Sequence, residues 1–191
     1  MDKRKFLVVG ASVAAGSLLA AGCTTTGSGS GDPQARRTSI DASVDRALSN
    51  LYQQAAGSEE LVKSARGVLV FPSVIAAGFI IGGASGEGAL REGGKTSGFF
   101  RTTTASIGWL AGAQSSSVFY LFMNQDSLAK FRASSGWQVG ADAGVTLVAV
   151  GANARVDTRS AQQPIVAFVL NNAGLMANVS LDGSRVTKID I

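Results

Sequence analysis

Residues 108–114 read GWLAGAQ and residues 136–142 read GWQVGAD. Whether these two heptapeptides are helix or strand decides the fold. The chain holds two tryptophans, Trp109 and Trp137, one in each copy. As helices, Gly108-x-x-x-Gly112 and Gly136-x-x-x-Gly140 would be small-residue packing pairs of the membrane type. The flanks oppose that reading: residues 102–117 are crowded with Thr102, Thr103, Thr104, Ser106, Gln114, Ser115, Ser116 and Ser117, and residues 145–150 (VTLVAV) favour strand. In strand register Trp109, Ala111 and Ala113 share one face, and Trp137, Val139 and Ala141 repeat the pattern. The internal glycines then mark bends, bulges or close backbone approach.

Working outward, strand composition recurs over residues 99–113, 117–123, 137–150, 164–171, 175–181 and 185–190. Asn171-Asn172-Ala173-Gly174 and Asp182-Gly183 are turn signals between strands. Residues 124–132 read as a helix capped by Asn124, with Asp126 in its first turn and Lys130 and Arg132 at its end. Upstream, Ile40, Val44, Ala47, Leu48, Leu51 and Ala55 recur at helical spacing. Thr38 with Asp41 has the form of a capping box for that helix. Ser58 is expected to cap a second short helix that ends at Gly67. Val68 to Phe71 reads as a short strand stopped by Pro72, and GGASGEGALREGGKTSG at 82–98 reads as a mobile glycine-rich turn. The expected fold class is α+β, with N-terminal helices packed on a large, mostly antiparallel, curled (barrel- or sandwich-like) β-sheet and one further short helix.

The N-terminus speaks to location. Lys3, Arg4 and Lys5 precede an apolar stretch from Phe6 to Ala21, which is shorter than the ~20 residues of a spanning helix and has the layout of a secretory signal. Its ending, Leu18-Leu19-Ala20-Ala21-Gly22-Cys23, resembles the bacterial lipobox, which implies acylation of Cys23. Thr24 stands where an inner-membrane retention signal would put Asp, which favours the outer membrane. The expected organisation is a signal peptide at 1–22, a flexible tether at 23–37 and a single domain at 38–191.

Composition excludes much chemistry. The chain has no histidine and one cysteine. Triads and pairs built on histidine are therefore ruled out, and acylation of Cys23 would use the only thiol. The 17 basic and 13 acidic residues give a net charge of +4. Lys3, Arg4, Lys5 and Asp2 fall in the leader, leaving 14 against 12, about +2, too little to imply nucleic-acid binding. Gly86-x-Gly88 is followed by Arg91 where a dinucleotide fingerprint needs its third glycine, and Gly94-Lys95-Thr96 lacks the first glycine of a phosphate loop, at Ala89. The acids Glu87, Glu92, Asp126, Asp142 and Asp157 form no recognisable catalytic pair. No catalytic residue, cofactor or metal site is expected.

The basic residues remain. Arg36, Arg37 and Arg46 flank or enter the first helix, Lys63 and Arg66 close the second, and Arg91, Lys95 and Arg101 surround the glycine-rich segment. Beside a lipid anchor, a basic amphipathic helix is a natural membrane-surface element.

The runs ARGVLVFPSVIAAGF (65–79), SIGWLAGAQSSSVFYLFMN (106–124), GWQVGADAGVTLVAVG (136–151) and NAGLMANVSLDGSRVTKI (172–189) together resemble the SYLF domain, also called the Ysc-type actin-binding domain. The resemblance implies a non-enzymatic module that binds phosphoinositide membranes, partly through an N-terminal amphipathic helix that corresponds to residues 39–55 here. Fungal members also bind actin, a partner an exported bacterial protein would not normally meet. Ser117 stands near an Asp of many eukaryotic members, and the chain lacks their SH3 or FYVE modules. The resemblance therefore implies anionic head groups as the ligand class, with a structural envelope protein that binds a protein partner as the alternative.

Overall fold

The computed structural model describes residues 32–78, 81–107, 112–140, 146–147, 162–171, 174–175, 181 and 183–191. The chain divides into Met1–Ser30 and Gly31–Ile191, and all described residues belong to the second unit. The signal, Cys23, most of the tether, and Trp109 with its neighbours 108–111 lie outside the described residues.

Helix α1 spans Pro33–Gln54. The expected capping box at Thr38 does not form. Asp32 is the cap, its carboxylate accepting from the Gln34 amide at 3.0 Å, and Pro33 occupies the first turn, where its missing N–H costs no helical bond. Thr38 instead donates its hydroxyl to the Gln34 carbonyl one turn back. The helix thus begins before Arg36 and Arg37, and carries both. Helix α2 spans Ser58–Ser64. Gly57, at a φ of 85°, precedes it in the left-handed conformation glycine tolerates. Ser58 does not cap α2 as expected; it is buried and donates its hydroxyl to the Leu51 carbonyl of α1. Helix α3, Gln125–Ala133, has the expected cap, Asn124 accepting from the Ser127 amide at 2.8 Å.

Two strands replace the expected short strand and mobile turn. Strand β1 runs Gly67–Gly78 and β2 runs Ile81–Glu92. Pro72 does not end β1, because the register with both neighbours shifts around it, between Val70 and Ser73 on one side and between Phe71 and Val74 on the other. A bulge takes a residue with no N–H out of the ladder. The Ser117 hydroxyl donates to the Pro72 carbonyl at 2.7 Å, satisfying it there. Gly86 and Gly88 serve this irregularity. A Cβ at Gly88 would lie 1.9 Å from the Val70 carbonyl oxygen, and one at Gly86 would lie 2.5 Å from that of Ser73. The glycines that resembled a nucleotide loop therefore admit the bulged strand. The turn itself is Gly93-Gly94, both at positive φ.

Strand β3 covers Lys95–Ile107, β4 Gly112–Phe122, β5 Trp137–Gln138, β6 Thr146–Leu147, β7 Ile165–Asn171, β8 Gly174–Leu175 and β9 Arg185–Ile189. The sheet order is β5-β9-β3-β2-β1-β4-β7-β6, with β8 on β7. Among the described pairings β6–β7 is parallel and the others are antiparallel. Edge strands β5 and β6 are separated by residues 139–145 alone. Eight residue steps reach at most about 28 Å, whereas eight strands laid flat would hold their edges about 34 Å apart. The sheet must curl, and its architecture is a half-barrel with helices packed against it.

Both faces of the central strands are buried, so their apolar runs are continuous. On one face Val68, Val70, Phe119, Leu121, Val166, Phe168 and Leu170 meet Ile40, Val44, Ala47 and Leu51 of α1 and Leu61 of α2. On the other, Leu69, Phe71, Tyr120, Phe122, Ile165 and Val169 meet Leu128 and Phe131 of α3, with Trp137 and Val186. Trp137 is 2% exposed. Its ring centroid lies 5.3 Å from that of Tyr120 and 5.4 Å from that of Phe131, both in edge-to-face geometry. Trp137 of the second heptapeptide is therefore architectural.

Candidate functional site

The β2–β3 register sets Glu87 directly opposite Arg101. Helix α1 crosses above them and lowers Arg36 onto the same carboxylate. Arg101 Nη2 donates to Glu87 Oε1 at 2.6 Å. Arg36 holds both oxygens, Nη2 to Oε1 at 2.5 Å and Nε to Oε2 at 3.2 Å. Burial pushes the Glu87 carboxyl up, but hydrogen bonds from Arg101 and Arg36 and their positive charge outweigh it, leaving the group below the usual glutamate range. Two guanidinium groups thus share one carboxylate, a local excess of one positive charge.

Beside this cluster an open groove of about 590 Å³ runs between α1 and the bulged part of the sheet. Ser39 and Ser43 of α1, Ser73 of β1, Ser85 of β2 and Thr103 of β3 line it with hydroxyls, and Arg101 and Glu87 close one side. Ile75, 56% exposed, stands at the groove as the large apolar side chain most open to solvent among the described residues. A hydroxyl-lined cleft with the Arg101 guanidinium in its wall, and Arg36 beyond it on Glu87, can bind an oxyanion and the polyol that carries it.

The other expected basic residues are dispersed. Arg91, its side chain 14% exposed, lies under α1, with Nη2 at 2.7 Å from Asp45 and 3.5 Å from Asp41. Its Nε is buried without a hydrogen-bond partner among the described residues. Lys63 pairs with Glu59 at 2.7 Å along α2, and both charges act on the Tyr52 phenol. Burial raises the Tyr52 pKa first and Glu59 adds to this, while Lys63 opposes it. Arg37 donates through Nε to the main-chain oxygen of Ile191. Arg46 reaches Ser43 at 3.1 Å. Arg66 and Lys95 are exposed and make no ion pair among the described residues. The structure therefore gathers Arg36 with Arg101, and spreads Arg37, Arg46, Lys63, Arg66, Arg91 and Lys95 elsewhere.

Two features bear on the membrane expectation. The apolar stripe of α1 is buried against the sheet, so this face of the helix is not presented to solvent. Among the described residues no helix is long and apolar enough to cross a membrane. Of Phe99, Phe100, Phe119 and Tyr120, whose clustering on an exposed surface would favour a protein-binding face, Phe119 and Tyr120 are buried and Phe99 and Phe100 half-buried. Glu87, counted from sequence only as an available acid, is the residue that organises the site. Its register opposite Arg101 was hidden by reading 82–98 as a turn.

Glu87 and Glu92 are held by cations rather than by each other: Glu92 pairs with Arg132 at 3.3 Å and accepts from Ser97 at 2.7 Å. Asp142 and Asp157 lie outside the described residues. Among the described residues no group of three or more His, Cys, Asp or Glu could hold a metal ion.

No curated protein matches the chain. Residues 103–190, somewhat less than half of the 191, match the family described as Ysc84, Las17-binding protein actin regulator. The match runs from the middle of β3 to the end of β9, so the chain carries a SYLF/Ysc84-like domain over residues 103–190.

Proposed function

We propose that this protein is a non-enzymatic lipid-binding lipoprotein of the bacterial cell envelope that contacts anionic head groups. The observation that carries the reading is the pair Arg36 and Arg101, two guanidinium groups on the single carboxylate of Glu87, which with Arg101 forms one wall of a hydroxyl-lined groove. The likeness of residues 103–190 to the Ysc84 family supports it, since SYLF-type domains are linked to lipid binding. Acylation of Cys23 would hold the domain at the outer membrane, and the exposed Arg46, Arg66 and Lys95 would add attraction to an anionic bilayer of about 1 kcal/mol each. Because the apolar stripe of α1 already packs on the sheet, contact falls to the charges and the groove rather than to helix insertion.

Co-sedimentation of the 24–191 fragment with anionic and neutral vesicles tests this. Binding should favour anionic vesicles and weaken as salt is raised. Equal binding to both would reject the electrostatic reading.

A second reading, an envelope protein that binds a protein partner, is favoured by the exposed Ile75 and by the family description, which names a bound protein. Cross-linking that recovers one stoichiometric partner, with no vesicle binding, would select it.

A further inference from the structure

We propose that Arg36 and Arg101 form a binding site for a phosphate ester carried on a polyol, and that Glu87 is an internal anion occupying that site until the ligand displaces it. This deepens the anionic-head-group reading and rests on it for the ligand class.

Three observations carry the inference. First, Glu87 satisfies Arg36 with the two-point geometry that a phosphate would use, Nη2 and Nε each meeting one oxygen at 2.5 and 3.2 Å. Arg101 adds a third donor at 2.6 Å. A carboxylate offers two oxygens and one negative charge, whereas a phosphate monoester offers three oxygens and up to two charges. The ligand therefore matches the two cations better than the resident glutamate does.

Second, both arginine side chains keep solvent access, with 42% and 45% of their surfaces exposed. An incoming anion can approach them without moving backbone. They sit on different elements, α1 and β3, and Glu87 is the side chain that joins them. Third, the groove beside them has hydroxyls on three strands and one helix, Ser39, Ser43, Ser73, Ser85 and Thr103. Ser73 and Ser115 already lie 3.0 Å apart, within hydrogen-bond reach of each other. A hydroxyl-lined wall suits the hydroxyl groups of a polyol, while the guanidinium groups take its phosphate.

The shared chemistry could come from a soluble polyol phosphate or from the head group of a lipid, and the two are separable. Glycerol phosphate is titrated into the full chain by calorimetry, and the same proteins are tested on phosphatidylglycerol and on phosphatidylcholine vesicles. Glu87→Gln should tighten glycerol phosphate binding on the order of tenfold by removing the competing charge. Arg36→Gln and Arg101→Gln should abolish it. Parallel changes on phosphatidylglycerol vesicles identify the lipid head group as the source, and changes confined to glycerol phosphate identify a free ester.

Glu87→Asp, which keeps the charge but shortens its reach, should also tighten binding and covers the case in which Glu87→Gln fails to fold. In the unsubstituted protein, glycerol phosphate should shift the Nε–H resonances of Arg36 and Arg101 together. A folded Glu87→Gln protein with unchanged or weaker binding overturns the proposal, as do arginine resonances that stay still under saturating ligand. Glycerol phosphate binding and vesicle binding both indifferent to Glu87→Gln remove this inference and leave the lipid reading. Tightened glycerol phosphate binding without any vesicle binding removes the lipid reading and leaves the site.

Discussion

Arg91 Nη2 lies 2.7 Å from Asp45 Oδ1 and joins the end of β2 to the middle of α1. Asp41, one helical turn earlier, faces the same guanidinium at 3.5 Å and also accepts from the Thr96 hydroxyl at 2.6 Å. With Arg36 on Glu87, these contacts pin the first half of α1 to the β2–β3 hairpin above the apolar seam. Charge sets the helix's azimuth, and burial of Val44 and Leu51 supplies most of the adhesion.

Arg91→Ala should therefore destabilise the protein by about 1–3 kcal/mol, because it removes a largely buried side chain together with its hydrogen bonds to α1. Asp45→Asn, at an exposed partner, should cost less than about 1 kcal/mol. Urea denaturation measures both, and equal effects would show that Arg91 contributes only its pairing with Asp45 and no packing.

At Gly88 the absence of a side chain is a steric requirement. Gly88→Ala would put a Cβ against the Val70 carbonyl, with no flexible atom to yield, and should cost more than about 3 kcal/mol or prevent folding. Gly93→Ala has nothing within 4 Å of its new carbon and only a positive φ to bear, so about 1 kcal/mol is expected. Thermal melts of the two variants should differ widely.

Trp137→Ala should cost about 3–5 kcal/mol, since it empties the centre of an aromatic cluster. Trp137→Phe should recover more than half of that loss. Chemical denaturation followed by circular dichroism reads both without relying on tryptophan emission.

The Glu87 carboxyl titrates below the ordinary glutamate range when folded. The unfolded state therefore binds its proton first as pH falls. Its contribution to stability is complete above the unfolded pKa and is lost as pH drops through the lower folded value. Melting temperatures from pH 7 downward should show the gap between the native protein and Glu87→Gln narrowing across the acid range. A constant gap would show that the arginine contacts do not favour the charged form.

Much of the fold was legible because its strands follow composition. VFYLF and IVAFVL, at 118–122 and 165–170, are β-branched and aromatic runs that only a sheet buried on both faces needs. The β1–β2 hairpin was not legible. Pro72 and the glycines of 82–88 carry the local signs of a loop, and only the bulge and close backbone approach convert them into strand. Likewise Thr38 had the right spacing for a cap, yet Asp32 followed by Pro33 forms it. The arginines of the site could be listed from sequence, but which of them meet is a matter of strand register and helix placement. That is why Glu87 went unassigned until its neighbour across the ladder was known.

Strand β9 sits between β3 and β5, so residues 185–189 complete a sheet whose longest strands, β1 to β4, lie before residue 123. During folding, the β1–β3 meander can form early from adjacent hairpins, whereas β3 keeps an unpaired edge until this distant segment docks. An open edge of that length is a template for other chains. Delayed arrival of β9 is thus a step at which this protein is exposed to aggregation, and a peptide matching residues 185–189 offered in trans would act as a folding competitor.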